Sequence, residues 1–395
     1  MLVYTRIYSG IFISLLCLFF SLTIPSATYA QGKAVVMDPA LLPQEQASRA
    51  KVIRIDEEGT KIIFEQKHPY QKVTLQILSG PEKGKVFTMI HGEQTTLREN
   101  QKVQVNQTVV LQKTTTGKQS IYQIIDKYRL DRTLPLVLIL LIVIVTVSRW
   151  KGLAALAGLA ISFIIILTFI IPTILSGEDP LVTSIIGSFF IMMTTMYIAH
   201  GFSKKTHIAV LATTITLILT GMLAYASVKL LFLTGLGNDD AITLLYGASG
   251  SLNFQGLLLG GIIIGSLGVL NDITIGLAAS IRELAESNNK STFKELFKRG
   301  LRIGNEHIAA LVNTLALAYA GAALPIFIFI VMNPANQPLW LILNSEILQE
   351  EIVRTVTGSI GLILAVPLTA LLGALAFQHK KPEKNTYSHK AERSV

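Results

Sequence analysis

Seven long apolar runs follow one another in the last two thirds of the chain, and they constrain its fold more than any other feature. A helix needs about 20 mostly apolar residues to cross the hydrocarbon core of a bilayer, and each run has that length or nearly so. Because 51% of all residues are hydrophobic and only 15% are charged, the sequence predicts a polytopic α-helical membrane protein with about seven core helices. The runs are Leu134 to Ser148, Gly152 to Leu175, Leu181 to Ala199, His207 to Leu233, Leu252 to Asp272, Ile308 to Val331 and Thr355 to Phe377.

The charges between the runs predict the orientation of the chain. Basic and acidic residues fall on alternate loops, and cytoplasmic loops of membrane proteins carry the excess of Lys and Arg. The basic loops and the C-terminus are therefore expected in the cytoplasm. The basic positions are Arg149 and Lys151, Lys204 and Lys205, Arg282 to Arg302, and the tail from Lys380 to Arg393; the acidic ones are Glu178 and Asp179, Asp239 and Asp240, and Glu346, Glu350 and Glu351.

The N-terminal residues 1–30 have the features of a secretory signal. Arg6 precedes an apolar run from Ile11 to Leu22, and Pro25 and small residues precede a possible cleavage point after Ala30. An uncleaved anchor helix is the alternative, since the run can be extended to the length that spans a bilayer. Both interpretations place the following residues outside the cytoplasm.

Residues 31–132 differ from the rest of the chain and predict a small β-rich extracytoplasmic domain. Six short segments alternate apolar and polar residues with the period of two that a half-buried strand requires. Turn signals separate them, notably "SGPEKGK" from Ser79 and "TTTGKQ" from Thr114, so a barrel or sandwich is expected. The segments are "KVIRID", "KIIFEQ", "KVTLQIL", "KVFTMI", "KVQVNQTVVLQK" and "IYQIID". A transmembrane domain at 133–378 and a basic cytoplasmic tail at 379–395 complete the predicted organisation.

The fifth apolar run is rich in glycine, which predicts close helix packing. Pairs of small residues four positions apart let two helix backbones approach each other in a membrane. The packing positions predicted in this way are Gly256, Gly260, Gly261, Gly265, Gly268 and Gly276.

The same run ends in an adjacent amide and carboxylate, Asn271 and Asp272. Asp272 shares one helical face with Gly276, Ser280 and Glu283, which follow at spacings of four, four and three. If the helix leaves the bilayer after Leu270, these residues belong to a solvated extension. If the bilayer edge lies at Arg282, Asp272 is about 15 Å inside it, where an ionised carboxylate is costly.

The sixth run offers a partner for this polar pair. Asn313 and Thr314 lie about 10 Å beyond Glu306 by the helical rise, so Asn313 and Asp272 are expected at similar depth on antiparallel helices. An amide and a carboxylate together suit a proton or cation site. A hydrogen bond that only fixes helix packing explains the same residues.

Four segments of the chain resemble the YibE/F-like family of bacterial multi-pass membrane proteins. They are "YRLDRTLPL", "GSLGVLNDITIGLAASIRELAE", "NTLALAYAGAALP" and "GSIGLILAVPLTA", and the resemblance covers roughly Gln71 to Phe377. It implies a multi-pass protein of the bacterial plasma membrane with a β-rich outer region. It implies no particular activity and no functional residues.

The function expected from the residues is that of a permease for a solute or ion, with its pathway along Asn271, Asp272, Ser280, Asn313 and Thr314. The alternative is a non-transporting accessory or sensor protein whose residues 31–132 bind an envelope component or partner. An intramembrane enzyme is disfavoured because no nucleophile–base pair or metal-binding spacing is present. The bilayer is the expected environment, and neither a cofactor nor nucleic acid is expected. The sequence specifies neither the substrate nor the number of subunits.

Overall fold

The computed structural model describes residues 44–63, 66–93, 96–116, 119–247, 252–288, 290–333 and 336–378. The described chain falls into two compact units, one within Lys33–Val147 and the other from Ser148 onward. The predicted signal or anchor at 1–30 and the tail at 379–395 lie outside the described residues.

The first unit contains one antiparallel sheet of five strands. Their order across the sheet is β3-β2-β1-β4-β5. The sequence predicts six strands, whereas the structure joins two of the predicted segments into the long strand β1, which bends at two register shifts next to Arg54 and Glu57. Both shifts lie within the pairing with β2, and bulges of this kind bend a strand and increase its twist. The strands are β1 Gln44–Ile63, β2 Gln66–Ile77, β3 Val86–His91, β4 Thr108–Thr116 and β5 Gln119–Lys127.

The sheet curls so that its two edge strands approach each other. The rings of Phe87 on β3 and Tyr122 on β5 have centroids 4.5 Å apart, although β3 and β5 are at opposite edges. The concave side encloses a small apolar core formed by buried aliphatic side chains, among them Val52, Val73, Leu75, Val109 and Leu111. The alternating pattern of each segment supplies these inward side chains.

The helices follow the strands, beginning at Leu130. Several start at side-chain caps: Asp179 accepts backbone N–H bonds from Leu181 and Val182, and Thr292 accepts one from Glu295. They are α1 Leu130–Ile165, α2 Ile171–Leu175, α3 Pro180–His200, α4 Lys204–Leu230, α5 Asp239–Gly247, α6 Phe254–Ser287, α7 Phe293–Ala322, α8 Leu324–Met332, α9 Leu339–Leu343 and α10 Glu346–Phe377; a π-helical turn, Ile166–Ile170, joins α1 to α2.

Five helical stretches within the described residues are long and apolar enough to cross a membrane, and a sixth crossing results if α7 and α8 form one bent span. The axes of α7 and α8 differ by 64°. The count differs from the predicted seven because Leu130–Leu175 is one continuous stretch of 46 residues. Its backbone nevertheless leaves the helical conformation at Arg149, with φ 49° and ψ −131°.

Helix α6 lies at the centre of the second unit and packs against α3, α4 and α10. Its buried face carries Ile262, Ile263, Leu267, Leu270 and Ile273. Small residues bring the neighbours close, since a Cβ on Gly260 would meet Ser184 of α3 and one on Gly361 of α10 would meet Thr220 of α4. The tight packing of small side chains is the arrangement expected for helices in lipid.

Candidate functional site

One face of α6 is exposed, apart from the Tyr319 side chain of α7, which borders it at Gly265. Gly261, Gly265, Gly268 and Asp272 recur at spacings of four, three and four, and all four are exposed. These spacings place them on one helical stripe, opposite the buried face of the same helix. We call this stripe the open face of α6. Its three glycines leave the helix backbone uncovered, and the carboxylate of Asp272 lies at its C-terminal end.

The predicted packing glycines divide into two groups. A Cβ on Gly256 would lie 2.9 Å from Pro180 Cδ, and one on Gly260 would overlap Ser184, so these two positions permit contact with α3. A Cβ on Gly265 would meet only the Tyr319 hydroxyl, at 3.7 Å. Gly261, Gly268 and Gly276 have nothing within 4 Å of an added Cβ. The small residues of α6 therefore serve close packing on one side and an open surface on the other.

The depth of Asp272 follows from the register of α3 and α6. Gly256 lies opposite Pro180, and Gly260 lies opposite Ser184, so the two helices run parallel and side by side. By the same register His200, the last residue of α3, is level with Gly276. Asp272 thus lies about 6 Å inside the end of α3 by the helical rise. His200 interacts electrostatically with Asp272, Lys151 and Lys205.

Asn271 points away from the open face. Its Oδ1 atom is buried and has no hydrogen-bond partner among the described residues. Next to it, the Thr274 hydroxyl donates to the Leu270 carbonyl at 2.8 Å and lies 2.7 Å from the Thr213 hydroxyl of α4. The adjacent amide and carboxylate of the sequence are therefore separated, with Asp272 on the open face and Asn271 in a partly buried position.

The predicted partners Asn313 and Thr314 lie on α7. Tyr319 is beside Gly265, and α7 is antiparallel to α6, so Asn313 falls level with Asn271 and Asp272. Asn313 and Thr314 are both exposed, and the Thr314 hydroxyl donates to its own helix, to the Ala310 carbonyl at 2.9 Å. The described contacts include no hydrogen bond between Asn313 and Asp272. Ser280 likewise bonds within α6, donating to the Gly276 carbonyl at 3.0 Å.

Sequence reasoning missed a second polar group, at the start of α10. Glu350 is 3% exposed and accepts a hydrogen bond from the Gly237 backbone N–H at 3.0 Å. One turn earlier, Glu346 accepts bonds from the backbone N–H of Thr234 at 2.6 Å and of Gly235 at 3.0 Å. The spacing of Glu346, Glu350 and Arg354 at intervals of four was the available signal, because it places them on one helical face.

Arg354 completes this second group. Its Nε atom is buried without a hydrogen-bond partner in the described structure and lies 3.7 Å from Glu351. Tyr319 of α7 interacts electrostatically with both Arg354 and Glu351. Because Tyr319 also borders Gly265, it connects the second group to the open face of α6.

The sheet unit has a cavity of its own, of about 370 Å³. His91, which is buried, lines it together with Asn100, Gln101, Lys127 and Arg129. Burial lowers the pKa of His91, and the nearby Lys127 acts in the same direction. In the described parts of both units, no three His, Cys, Asp or Glu side chains are grouped so that they could hold a metal ion.

A family model for YibE/F-like proteins matches residues 136–379, which is more than half of the chain. The chain belongs to the YibE/F-like family. The match begins later than the predicted resemblance from Gln71, so the sheet unit and most of "YRLDRTLPL" lie outside it. It includes the open face of α6 and the polar start of α10. No curated protein and no solved structure matches the chain.

Proposed function

We propose that this YibE/F-like protein is a permease whose translocation pathway follows the open face of α6. The observation that carries the proposal is Asp272, an exposed carboxylate on a glycine-lined stripe of a helix long enough to cross a membrane. A charge in hydrocarbon costs a few kcal/mol or more, and such residues normally face a protein interior or a water-filled path. The transported species is a small solute or ion, for which Asp272 supplies a proton- or cation-binding group.

We propose that the chain crosses the membrane seven times, which gives the pathway access from both sides. At the helical rise the 46 residues of Leu130–Leu175 correspond to about 69 Å of helix, more than twice the hydrocarbon thickness of a bilayer. In this proposal the chain crosses once on each side of the non-helical residue Arg149, and α7 with α8 forms another crossing. With the basic loops inside, the C-terminus is cytoplasmic, Asp272 belongs to the inner half, and residues 31–132 lie outside the cytoplasm.

The wall opposite the open face comes from α7. Tyr319 borders Gly265, and Asn313 is level with Asp272, so we assign these polar side chains of α7 to the same pathway. The pathway then runs from Arg354 and Glu351 at its outer end, past Tyr319, to Asp272. Bare glycine backbone leaves room for a solute between these groups.

The test is flux in proteoliposomes that contain the full chain. Asp272→Asn removes the charge with little change in shape, and we expect it to abolish proton- or cation-coupled uptake. Glu286→Gln is the matched control, because Glu286 lies on the same helix in an exposed ion pair with Arg282. Wild-type flux in the Asp272→Asn protein would refute the assignment of the pathway.

A second function is favoured by the cavity of the sheet unit. Its lining of Lys127, Asn100 and Gln101, with Arg129 paired to Asp126, suits a hydrogen-bonding envelope component, as a sensor or accessory protein would require. Deleting residues 31–131 separates the two proposals. Retained flux by the helical core supports the permease, whereas loss of the cellular phenotype from a core that still folds supports the sensor.

A further inference from the structure

The carboxylate of Glu350 is shielded from solvent and forms no ion pair among the described residues. Glu350 is 3% exposed, and the nearby Arg354 is within 4.0 Å of Glu351 instead. The hydrogen bond that the structure gives Glu350 comes from an uncharged donor, the Gly237 N–H at 3.0 Å. A buried charge with so little compensation is unfavourable, and taking up a proton removes that charge.

The surrounding charges act in both directions, because the carboxylates of Glu346 and Glu351 favour a proton on Glu350 whereas Arg354 opposes it. Glu346, Glu351 and Arg354, all on α10, interact electrostatically with Glu350. Tyr319 of α7 interacts electrostatically with Arg354 and Glu351. The loop Thr234–Gly237 donates backbone N–H hydrogen bonds to Glu346 and Glu350. Three carboxylates therefore share one guanidinium, and a proton on Glu350 relieves repulsion within the group.

Glu350 also holds a loop in place. Together with Glu346 it binds the loop Thr234–Gly237, which follows α4. The fit is close, since a Cβ on Gly237 would lie 2.7 Å from Glu350 Cδ. A Cβ on Gly235 would overlap the backbone of Phe254, so the same loop is fixed against the start of α6. The loop thus covers the end of the bundle where α6 and α10 begin.

We propose that Glu350 is a proton-binding residue at the outer end of the pathway and that its protonation releases the loop Thr234–Gly237. The proton comes from the outer water and forms an O–H bond on the carboxylate. The N–H bond from Gly237 then changes from a charge-assisted bond to a weaker neutral one, which loosens the loop. The position of Glu350 on a pathway rests on the proposed function, and the inference names the proton as the coupling or transported ion.

Infrared difference spectroscopy of the full chain in lipid tests the protonation directly. We expect a carboxylic-acid C=O band that changes between acidic and neutral buffer and is absent from Glu350→Gln. Glu286→Gln, which removes an exposed carboxylate elsewhere, should keep the band. A band unchanged in Glu350→Gln, or no pH-dependent band in the wild type, overturns the proposal.

Hydrogen exchange of the loop tests its release. After correction for the intrinsic rate, protection of residues 234–237 in the wild type should fall at least several-fold on acidification, and Glu350→Gln should show low protection at every pH. Gly237→Ala disturbs the contact but leaves the carboxyl group, so it should lose loop protection while keeping the infrared band. Equal protection of the loop at all pH values in the wild type contradicts the release.

These readouts are independent of transport. If the band and the loop behave as expected but the wild type carries no flux, the proton site stands and the permease proposal fails. If Asp272→Asn abolishes flux while Glu350→Gln retains the band, the permease proposal stands and the proton site at Glu350 fails.

Discussion

Thr213 of α4 and Thr274 of α6 face each other with their hydroxyl oxygens 2.7 Å apart, and both side chains are buried. The Thr274 hydroxyl also donates to the Leu270 carbonyl, so the Thr213 hydroxyl is the donor between the two helices. This bond fixes α4 against the buried side of α6, beside the partly buried Asn271.

Replacing Thr213 by Val should therefore destabilise the helical unit while keeping its shape. Interhelical hydrogen bonds in membranes contribute about 0.6 kcal/mol on average and up to about 1.7 kcal/mol. Unfolding of the full chain by a denaturing detergent measures the loss. Thr216→Val is the control, because the Thr216 hydroxyl bonds to the Ala212 carbonyl of its own helix. Equal losses in both variants would mean that the interhelical bond contributes nothing.

Two glycines of α6 should respond differently to the same substitution. Gly260→Ala forces a Cβ against Ser184, and overpacking of this kind costs about 1–3 kcal/mol. Gly268→Ala meets nothing within 4 Å and should leave the free energy of unfolding unchanged or slightly higher, since Ala favours helix. The same detergent titration compares the two variants. A destabilised Gly268→Ala would mean that the open face is packed.

The contrast between these glycines shows where sequence reasoning ends. Apolar length located the helices closely: the run predicted from Leu181 to Ala199 is helix Pro180–His200. The glycine spacing predicts packing equally for Gly260 and Gly268, because it contains no information on which neighbour lies where. Only the position of α3 distinguishes them.

Burial at the start of α10 was unpredictable for the same reason. Glu346 and Glu350 have the composition of an exposed acidic loop, and they are enclosed because the distant residues Thr234 and Gly237 fold over them. The sheet shows a related limit. The period of two identified the strands, but joining two segments into β1 depends on pairing with β2, which extends from Ala50 to Ile63.

Filling the open face should block transport without unfolding the protein. Gly268→Leu places a large side chain where the structure has space, so we expect at least tenfold lower flux in proteoliposomes with an unchanged detergent unfolding midpoint. Gly268→Ala should retain most of the flux. Full activity in Gly268→Leu would show that solutes do not pass along this face.

Water on the open face can be detected by thiol labelling. Cys17 is the single cysteine of the chain, so a Cys17→Ser protein provides a background without reactive thiols. A cysteine introduced as Gly268→Cys should react with a membrane-impermeant reagent, because that position is exposed. Ile263→Cys, on the buried face, should not react. Comparable labelling of both positions, or of neither, would contradict an aqueous path along α6.

The sheet unit should lose stability in acid through Glu82. Its carboxylate accepts hydrogen bonds from Lys113 Nζ at 2.8 Å and Tyr122 Oη at 2.6 Å, and Lys85 Nζ lies 3.4 Å away. The bond from Lys113, followed by that from Tyr122, lowers the pKa of Glu82 from 4.5 to about 2. A carboxyl group whose pKa is lower in the folded state stabilises the fold above its unfolded pKa.

The stabilisation by Glu82 should therefore be complete above about pH 4.5 and disappear as the pH falls toward 2. Hydrogen-exchange protection of the turn Ser79–Lys85 in the full chain measures this. Glu82→Gln should lower protection at neutral pH and remove most of the further loss in acid. The control is Glu99→Gln, since Glu99 forms an ion pair with Lys102 and its own side chain is 73% exposed. Glu82 is the group that joins this turn to β4 and β5. If the protection of the turn falls equally in acid in the wild type and in Glu82→Gln, the effect belongs to another carboxylate.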